Sequence, residues 1–414
     1  MTFIKNKNQI FISNGHSNFF LTDNASWLIS RGYKIRYICS FYPKKKYVNF
    51  LNFLKINNLP KVERFIARKR DILDEKYIYH SLISELLHQI AIAFFKKNNN
   101  SKISNFFAFL SMFLLRVYSA LLLFFFSNKN DIYYFRTGYG GIALLIAKFK
   151  KLKTVSDHSI VNPQLLDFLI NNNGSFPKKN EITKVSLYWK KVLYDCLNSD
   201  KLIVNSSFVK DTFNYSFKNL KINVLIPFFN YKNKNLSKTL NKVCNPISIV
   251  FAGNFEKRKG AENFIKIIHN LNRSNFLIKI IGNVDYIYLK KLKKLKANIR
   301  LLGYMSIEDM FLELQESDIF LFPSLAEGSA RVLNYAMLAK NLILTTPNSG
   351  SIIKNNINGY IFDPSDILSF KSIILNYDKN YKDMLIIKSN AFQTINKIMT
   401  KSSYYKDLED VLFS

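Results

Sequence analysis

The segment ISIVFAGNFEKRKGAENF (247–264), followed by DIFLFPSLAEGSARVLNYAM (318–337) and NLILTTPNSGS (341–351), decides the fold. Each piece is a short apolar run that ends in a glycine-rich or charged loop and continues into helical spacing. Short uninterrupted apolar runs of this kind are strands covered on both faces, as in a parallel sheet. Ligands of open parallel sheets bind outside the carboxyl ends of the strands, so the loops after these runs are expected to line one crevice. Strands are predicted at 247–252, 276–281, 299–302, 318–322, 341–345 and 359–362, with helices between most of them and helical segments at 364–376 and 381–411.

The same alternation extends toward the amino terminus. QIFIS (9–13) and KIRYICS (34–40) read as strands around the helix NFFLTDNASWLISRG (18–32). DIYYFRTGYGG (131–141) runs from strand to glycine turn, IALLIAKFKKL (142–152) is helical, and KTVSDH (153–158) is a strand. A helix over 181–199, the strand and Ser-capped helix of DKLIVNSSFVKDTF (200–213), and KINVLIPFF (221–229) complete this half, with a further strand expected near VERFIAR (62–68). The Lys/Asn-rich stretch at 231–246, ending in Pro246, reads as a linker. The expected organisation is an amino-terminal domain at 1–230, a carboxyl-terminal domain at 247–385, and a terminal helix at 386–414 that packs back on the first domain.

The chain has 414 residues, enough for two domains with separate cores, and 48% of them are hydrophobic, which excludes general disorder. Its 60 Lys and Arg against 29 Asp and Glu give a formal charge of +31. That balance suits phosphorylated ligands, an anionic membrane face or nucleic acid. An AT-rich coding bias accounts equally well for lysines set among asparagines, as in KKNNNSK (96–102), and no nucleic-acid module is recognisable. Cys39, Cys196 and Cys244 form no C-x-x-C pair, so neither a disulfide framework nor a zinc site is expected. The amino terminus does not resemble a secretory signal, and a cytoplasmic setting is expected.

The stretch ISNFFAFLSMFLLRVYSALLLFFF (103–126) is long enough to cross a bilayer and carries Arg116 as its one charge. A span would put the two flanks on opposite sides of the membrane, although both read as parts of one sheet. A helix in the core, or one at a membrane surface with Lys96, Lys97, Lys102 and Lys129 toward acidic headgroups, keeps that sheet whole. Both placements stay open.

The candidate chemistry sits in the loops. In AGNFEKRKGAENF (252–264), Gly253 and Gly260 flank Arg258 and Lys259 just before a helix, where free amides and the helix dipole favour an anion such as a diphosphate. A lysine-rich surface turn reads the same way in isolation. After the strand DIFLF, Glu327, Gly328 and Ser329 stand at its carboxyl end, with Arg331 in the first helical turn. A carboxylate there would accept hydrogen bonds from sugar hydroxyls, or would only stabilise the helix start. His158 ends its strand and is expected to face the crevice, and Gly15 and His16 occupy the loop after the first strand, expected to point into that crevice as well.

The motifs AGNFEKRKG, FPSLAEGSARVLNYAM and TTPNSGSIIKNNINGYIF together resemble the donor-binding domain of GT-B glycosyltransferases of family 4 (group 1). TVSDHSIVNPQLLDFL (154–169) and DKLIVNSSFVKDTF resemble the family's acceptor half. The resemblance implies an α/β fold of two facing Rossmann-like, doubly wound domains, and hexosyl transfer from a UDP- or GDP-linked donor with retention of configuration. It implies a glycan or lipid-linked acceptor in polysaccharide or lipopolysaccharide-type synthesis at the inner face of a membrane. By position, Lys259 would bind the diphosphate, Glu327 the donor sugar, and His158 would lie near the transferred group. Two departures stand out. Asn254 occupies the place of the family's arginine after the first glycine, and Tyr335, preceded by Asn334, replaces the glutamate that holds the nucleotide ribose. The chain has no D-x-D, so a metal-independent reaction without a cofactor is expected. A sugar-nucleotide-binding protein without activity is the alternative reading.

Overall fold

The computed structural model describes residues 8–16, 21–53, 66, 74–98, 101–178, 185–229, 245–271, 274–398 and 401–414. Its first sheet contains β1 (Ile10–Gly15), β2 (Ile35–Cys39), β3 (Ile78–His80), β4 (Ile132–Arg136), β5 (Lys153–His158), β6 (Lys201–Val204) and β7 (Ile222–Val224). The order is β3-β2-β1-β4-β5-β6-β7, and every neighbouring pair is parallel. The second sheet contains β8 (Ile247–Ala252), β9 (Phe276–Ile281), β10 (Ile299–Gly303), β11 (Ile319–Phe322), β12 (Leu342–Thr345) and β13 (Tyr360–Ile361), in the parallel order β10-β9-β8-β11-β12-β13. Both are doubly wound, and the order reverses between β1 and β4 in one and between β8 and β11 in the other. The loops leaving those strands therefore flank two crevices.

The six strands expected in the second half are all present. β8 and β11 are buried along their whole length because helices cover both faces, which is why they read as unbroken apolar runs. Of the strand expected near residue 65, Ile66 is described and is helical, and the rest lies outside the described residues. The third strand of the first sheet is instead Ile78–His80, too short to announce itself in sequence.

Between β3 and β4 the chain forms a helical hairpin, Leu82–Asn98 and Ser101–Phe126. Ser84 and Ser111 each donate to the other's carbonyl, at 2.8 and 2.6 Å, and Ser104 donates to the Ala91 carbonyl at 2.9 Å. Small serines at the seam let the antiparallel helices close. Leu115 and Leu123 of the second helix pack with Phe11, Tyr133 and Phe135 of the sheet. The opposite face stays open: Phe106 is 61% and Phe125 69% exposed. This helix is long and apolar enough to cross a membrane by composition. A crossing would nevertheless separate β1 from β4, which pair from Ile10↔Ile132 to Ser13↔Phe135.

The chain passes back to the first domain at its end. In the helix Lys401–Phe413, Tyr404, Leu408 and Leu412 join a core with Leu21, Ala25 and Leu28. Tyr405 stacks on Trp27 with ring centroids 4.4 Å apart, and Tyr33 donates to Glu409 at 3.0 Å.

Candidate active site

Three loops of the second domain converge at the carboxyl ends of β8, β11 and β12. The first begins at Gly253 and ends in the turn Lys257–Lys259, closed by Gly260 in a left-handed conformation. A side chain at Gly260 is excluded, since its Cβ would lie 1.8 Å from the Pro323 carbonyl oxygen of the second loop. The two loops are tied by the Leu325 amide, which donates to the Arg258 carbonyl at 2.9 Å. The third loop holds the second in turn: the amides of Glu327 and Ala330 donate to the carbonyls of Asn348 and Ser349, at 2.9 and 3.0 Å.

This scaffold brings Glu327 against two cations. Arg258 Nη1 lies 2.8 Å and Lys259 Nζ 3.6 Å from Glu327 Oε1, and a second ion pair of 2.7 Å joins Arg258 to Glu256. Both carboxylates hold the Arg258 guanidinium above its ordinary range against the opposing effect of burial. Lys259 Nζ also sits 2.9 Å from where a Gly253 side chain would start, so Gly253 makes room for the ammonium group.

The opposite wall comes from the first domain. Arg136, at the end of β4, pairs with Asp157 at 2.5 Å, and Asp157 also accepts from the Tyr134 hydroxyl at 3.3 Å. Arg136 further donates to Ser159. The domains meet where Ser206 donates to the Gly328 carbonyl at 2.5 Å and Asn348 donates to the Gly174 carbonyl at 2.7 Å. Between them lies a cavity of about 240 Å³, with Glu327, Ser329 and Arg331 on one side and Arg136, Asp157 and Tyr404 on the other.

Residues 232–394 match the family model described as glycosyl transferases group 1. The match covers the second domain and leaves the first sheet outside it. Solved structures share the whole GT-B architecture: TarM superposes with a TM-score of 0.66 at 11% identity, each chain covered to 100%. HepE from Anabaena, in complex with UDP, gives 0.61 at 14% identity, covering 98% of this chain and 99% of that one. Among curated proteins, an uncharacterized 41.2 kDa protein in the cps region of Klebsiella pneumoniae is 24% identical over 220 residues. That match takes in 51% of this chain and 58% of the relative's length.

Of the residues singled out in sequence, Glu327, Gly328, Ser329 and Arg331 line the cavity, and Arg258 and Lys259 reach it through Glu327. Tyr335 is half-buried and meets the Phe229 ring edge-on at 4.5 Å, and Asn334 is partly buried beside it. Gly15 (φ 83°) backs onto the Tyr139 ring. His16 is 2% exposed and bonds the hairpin, its Nε2 lying 2.8 Å from Ser84 Oγ and 2.5 Å from Ser111 Oγ. Neither lines the cavity.

His158 does not open onto the crevice either. Its side chain is 2% exposed, shares a hydrogen bond of 2.8 Å with Thr137 and stands edge-on to Phe213. The sequence missed Arg136, Tyr404 and the role of Asp157. The signal for Asp157 was present beside His158, because neighbouring strand residues face opposite sides and only one of the two can line the cleft.

Burial, with the Arg136 charge adding to it, pushes the His158 pKa down to about 3. Below about pH 6.5 the unfolded chain takes up a proton that the folded state refuses, so this group's stability contribution is complete above that pH and falls as pH drops toward 3. The expected slope is about 1.4 kcal/mol per pH unit. Urea unfolding of wild type and His158→Gln between pH 6.5 and 4.5 measures it: the difference in their slopes is His158's share, and parallel pH profiles would contradict the assignment.

Proposed function

We propose that the protein transfers a hexosyl group from a UDP- or GDP-linked donor to a glycan or lipid-linked acceptor, with retention and without a metal ion. The observation that carries this reading is the convergence of Arg258, Lys259 and Glu327 on the interdomain cavity. In the reaction, Lys259 and Arg258 oppose the charge gathering on the departing diphosphate, assisted by the start of the helix Arg331–Leu338. Glu327 accepts hydrogen bonds from the donor sugar hydroxyls and orients the ring. His158, held neutral behind the cleft wall, fixes the β5 end near the transferred group. Asn334 and Tyr335 flank the nucleotide, the tyrosine offering a ring face or hydroxyl in place of a carboxylate. The UDP, glucose and UDP-glucose held by HepE support a nucleotide-sugar donor, and the cps-region relative supports a place in polysaccharide synthesis. The basic charge and open apolar hairpin support a cytoplasmic protein in peripheral contact with an anionic membrane.

A second reading, donor binding without transfer, is favoured by the two departures at Asn254 and Tyr335. Thermal unfolding against UDP, GDP, ADP, CMP and their sugar conjugates tests the donor. A ligand at about 100 times its dissociation constant stabilises by roughly 2.7 kcal/mol. We expect one uridine or guanosine ligand to do so; no shift with any member of the panel would reject the donor site. Release of free nucleotide from the stabilising sugar conjugate, with acceptor present, separates transfer from binding alone.

A further inference from the structure

A second cavity, about 680 Å³, lies outside the donor site, between the helix Ser101–Phe126 and the helix Leu187–Asn198. Its walls are apolar: Phe106, Phe109, Met112 and Leu187 face it, and Phe106 and Leu187 are 61% and 67% exposed. Three cations, Lys102, Arg116 and Lys191, also line it, while its lining contains no carboxylate. Lys191 Nζ stands 3.4 Å from the centroid of the Phe109 ring, so a positive charge is held against the apolar wall rather than turned out to water.

The groove shares no lining residue with the interdomain cavity, but the turn after β4 links one wall of each. Arg116, 6% exposed, donates from Nε to the Gly138 carbonyl at 2.9 Å, and Gly138 follows Arg136 of the interdomain cavity by two residues. An apolar trough lined by cations is complementary to one kind of molecule: a long apolar chain ending in phosphate. A flat headgroup layer fits less well, because Arg116 lies at the bottom of a concave groove.

Resting on the glycosyl-transfer reading, we propose that this groove seats the apolar chain of an anionic amphiphilic acceptor, with its phosphate held by Lys191, Arg116 and Lys102. Calorimetric titration of the full chain with monomeric dodecyl phosphate, below its micelle concentration, tests this. Dodecyl maltoside, inorganic phosphate and anionic vesicles are the comparison ligands. The expected result is saturable binding of dodecyl phosphate, weakened at least tenfold by Lys191→Glu and by Met112→Trp, which fills the trough. Nucleotide-dependent stabilisation should be unchanged in both variants. Equal affinity for dodecyl maltoside, unchanged affinity in both variants, or binding of vesicles with none of the monomer would overturn the proposal. Amphiphile binding that follows this pattern without any nucleotide response would uphold the groove and overturn the transfer reading; the reverse pattern would overturn the groove alone.

Discussion

Lys259→Ala is expected to lower turnover by roughly 10²–10³-fold, the loss typical when one preorganised donor facing developing negative charge is removed. The ammonium group is well placed for that role. It leaves the turn Lys257–Lys259, passes under Gly253, and stops 3.6 Å from Glu327 at the cavity, with its side chain 20% exposed. A partly desolvated cation held in one place needs no reorganisation when the diphosphate departs. Folding should be little affected, because Glu327 keeps its 2.8 Å pair with Arg258 and the loop remains tied through backbone bonds. The substitution should therefore reduce kcat more than it raises KM. Lys259→Arg should recover little, since the space beneath Gly253 accommodates a compact ammonium rather than a planar guanidinium. Steady-state kinetics with the donor identified by thermal unfolding provides the check, and unchanged turnover in Lys259→Ala would remove Lys259 from the mechanism.

The second domain's share of the candidate site was legible in sequence because its features are local. β8 and β11 are apolar runs buried from both sides, and Gly253, Lys259, Gly260 and Glu327 follow them within a few residues. The loops then had to converge, since their strands are neighbours in the sheet. The first domain was legible only as topology. A strand end fixes where a backbone arrives but not which of two alternating side chains faces the ligand, and so His158 stood out where Asp157 lines the cavity. Tyr404 reaches the same cavity from a helix near the chain terminus, a long-range placement that no local pattern encodes. The apolar helix illustrates a different limit. Its composition fits membrane and core equally, and only the pairing of β1 with β4 shows that it lies beside one unbroken sheet.

Asp195 is the other residue hidden by distance, and its removal is expected to have the largest effect on stability. In sequence it is one aspartate in an ordinary amphipathic helix, Leu187–Asn198. In the fold it is fully buried and closes the glycine turn after β4. Its Oδ2 accepts from the amides of Gly138 and Gly140 at 2.7 and 2.9 Å, and its Oδ1 from the Gly141 amide at 2.8 Å. The turn leads into the helix Ile142–Phe149, whose positive end the carboxylate also faces. At a Rossmann switch point such a nest of amides would hold a ligand phosphate; here the protein supplies its own anion. Space for a ligand is absent as well, because a Cβ on Gly140 would meet Asp195 Oδ1 at 2.6 Å. Arg116 secures the turn from the other side through the Gly138 carbonyl. Asp195→Ala strands three amides beneath the protein surface and removes the carboxylate whose charge interacts with Arg116, a loss of about 3–5 kcal/mol. Asp195→Asn keeps one acceptor oxygen and should lose less, about 1–3 kcal/mol. Denaturant unfolding of the three proteins orders them as wild type, then asparagine, then alanine. If alanine were as stable as wild type, the carboxylate would not be what holds the turn closed. Since Arg136 leaves the same turn to meet Asp157 in the cavity, and Arg116 leaves the groove to meet it from behind, loosening the turn should weaken donor-side and amphiphile-side binding together, whereas Lys259→Ala should affect the donor side alone.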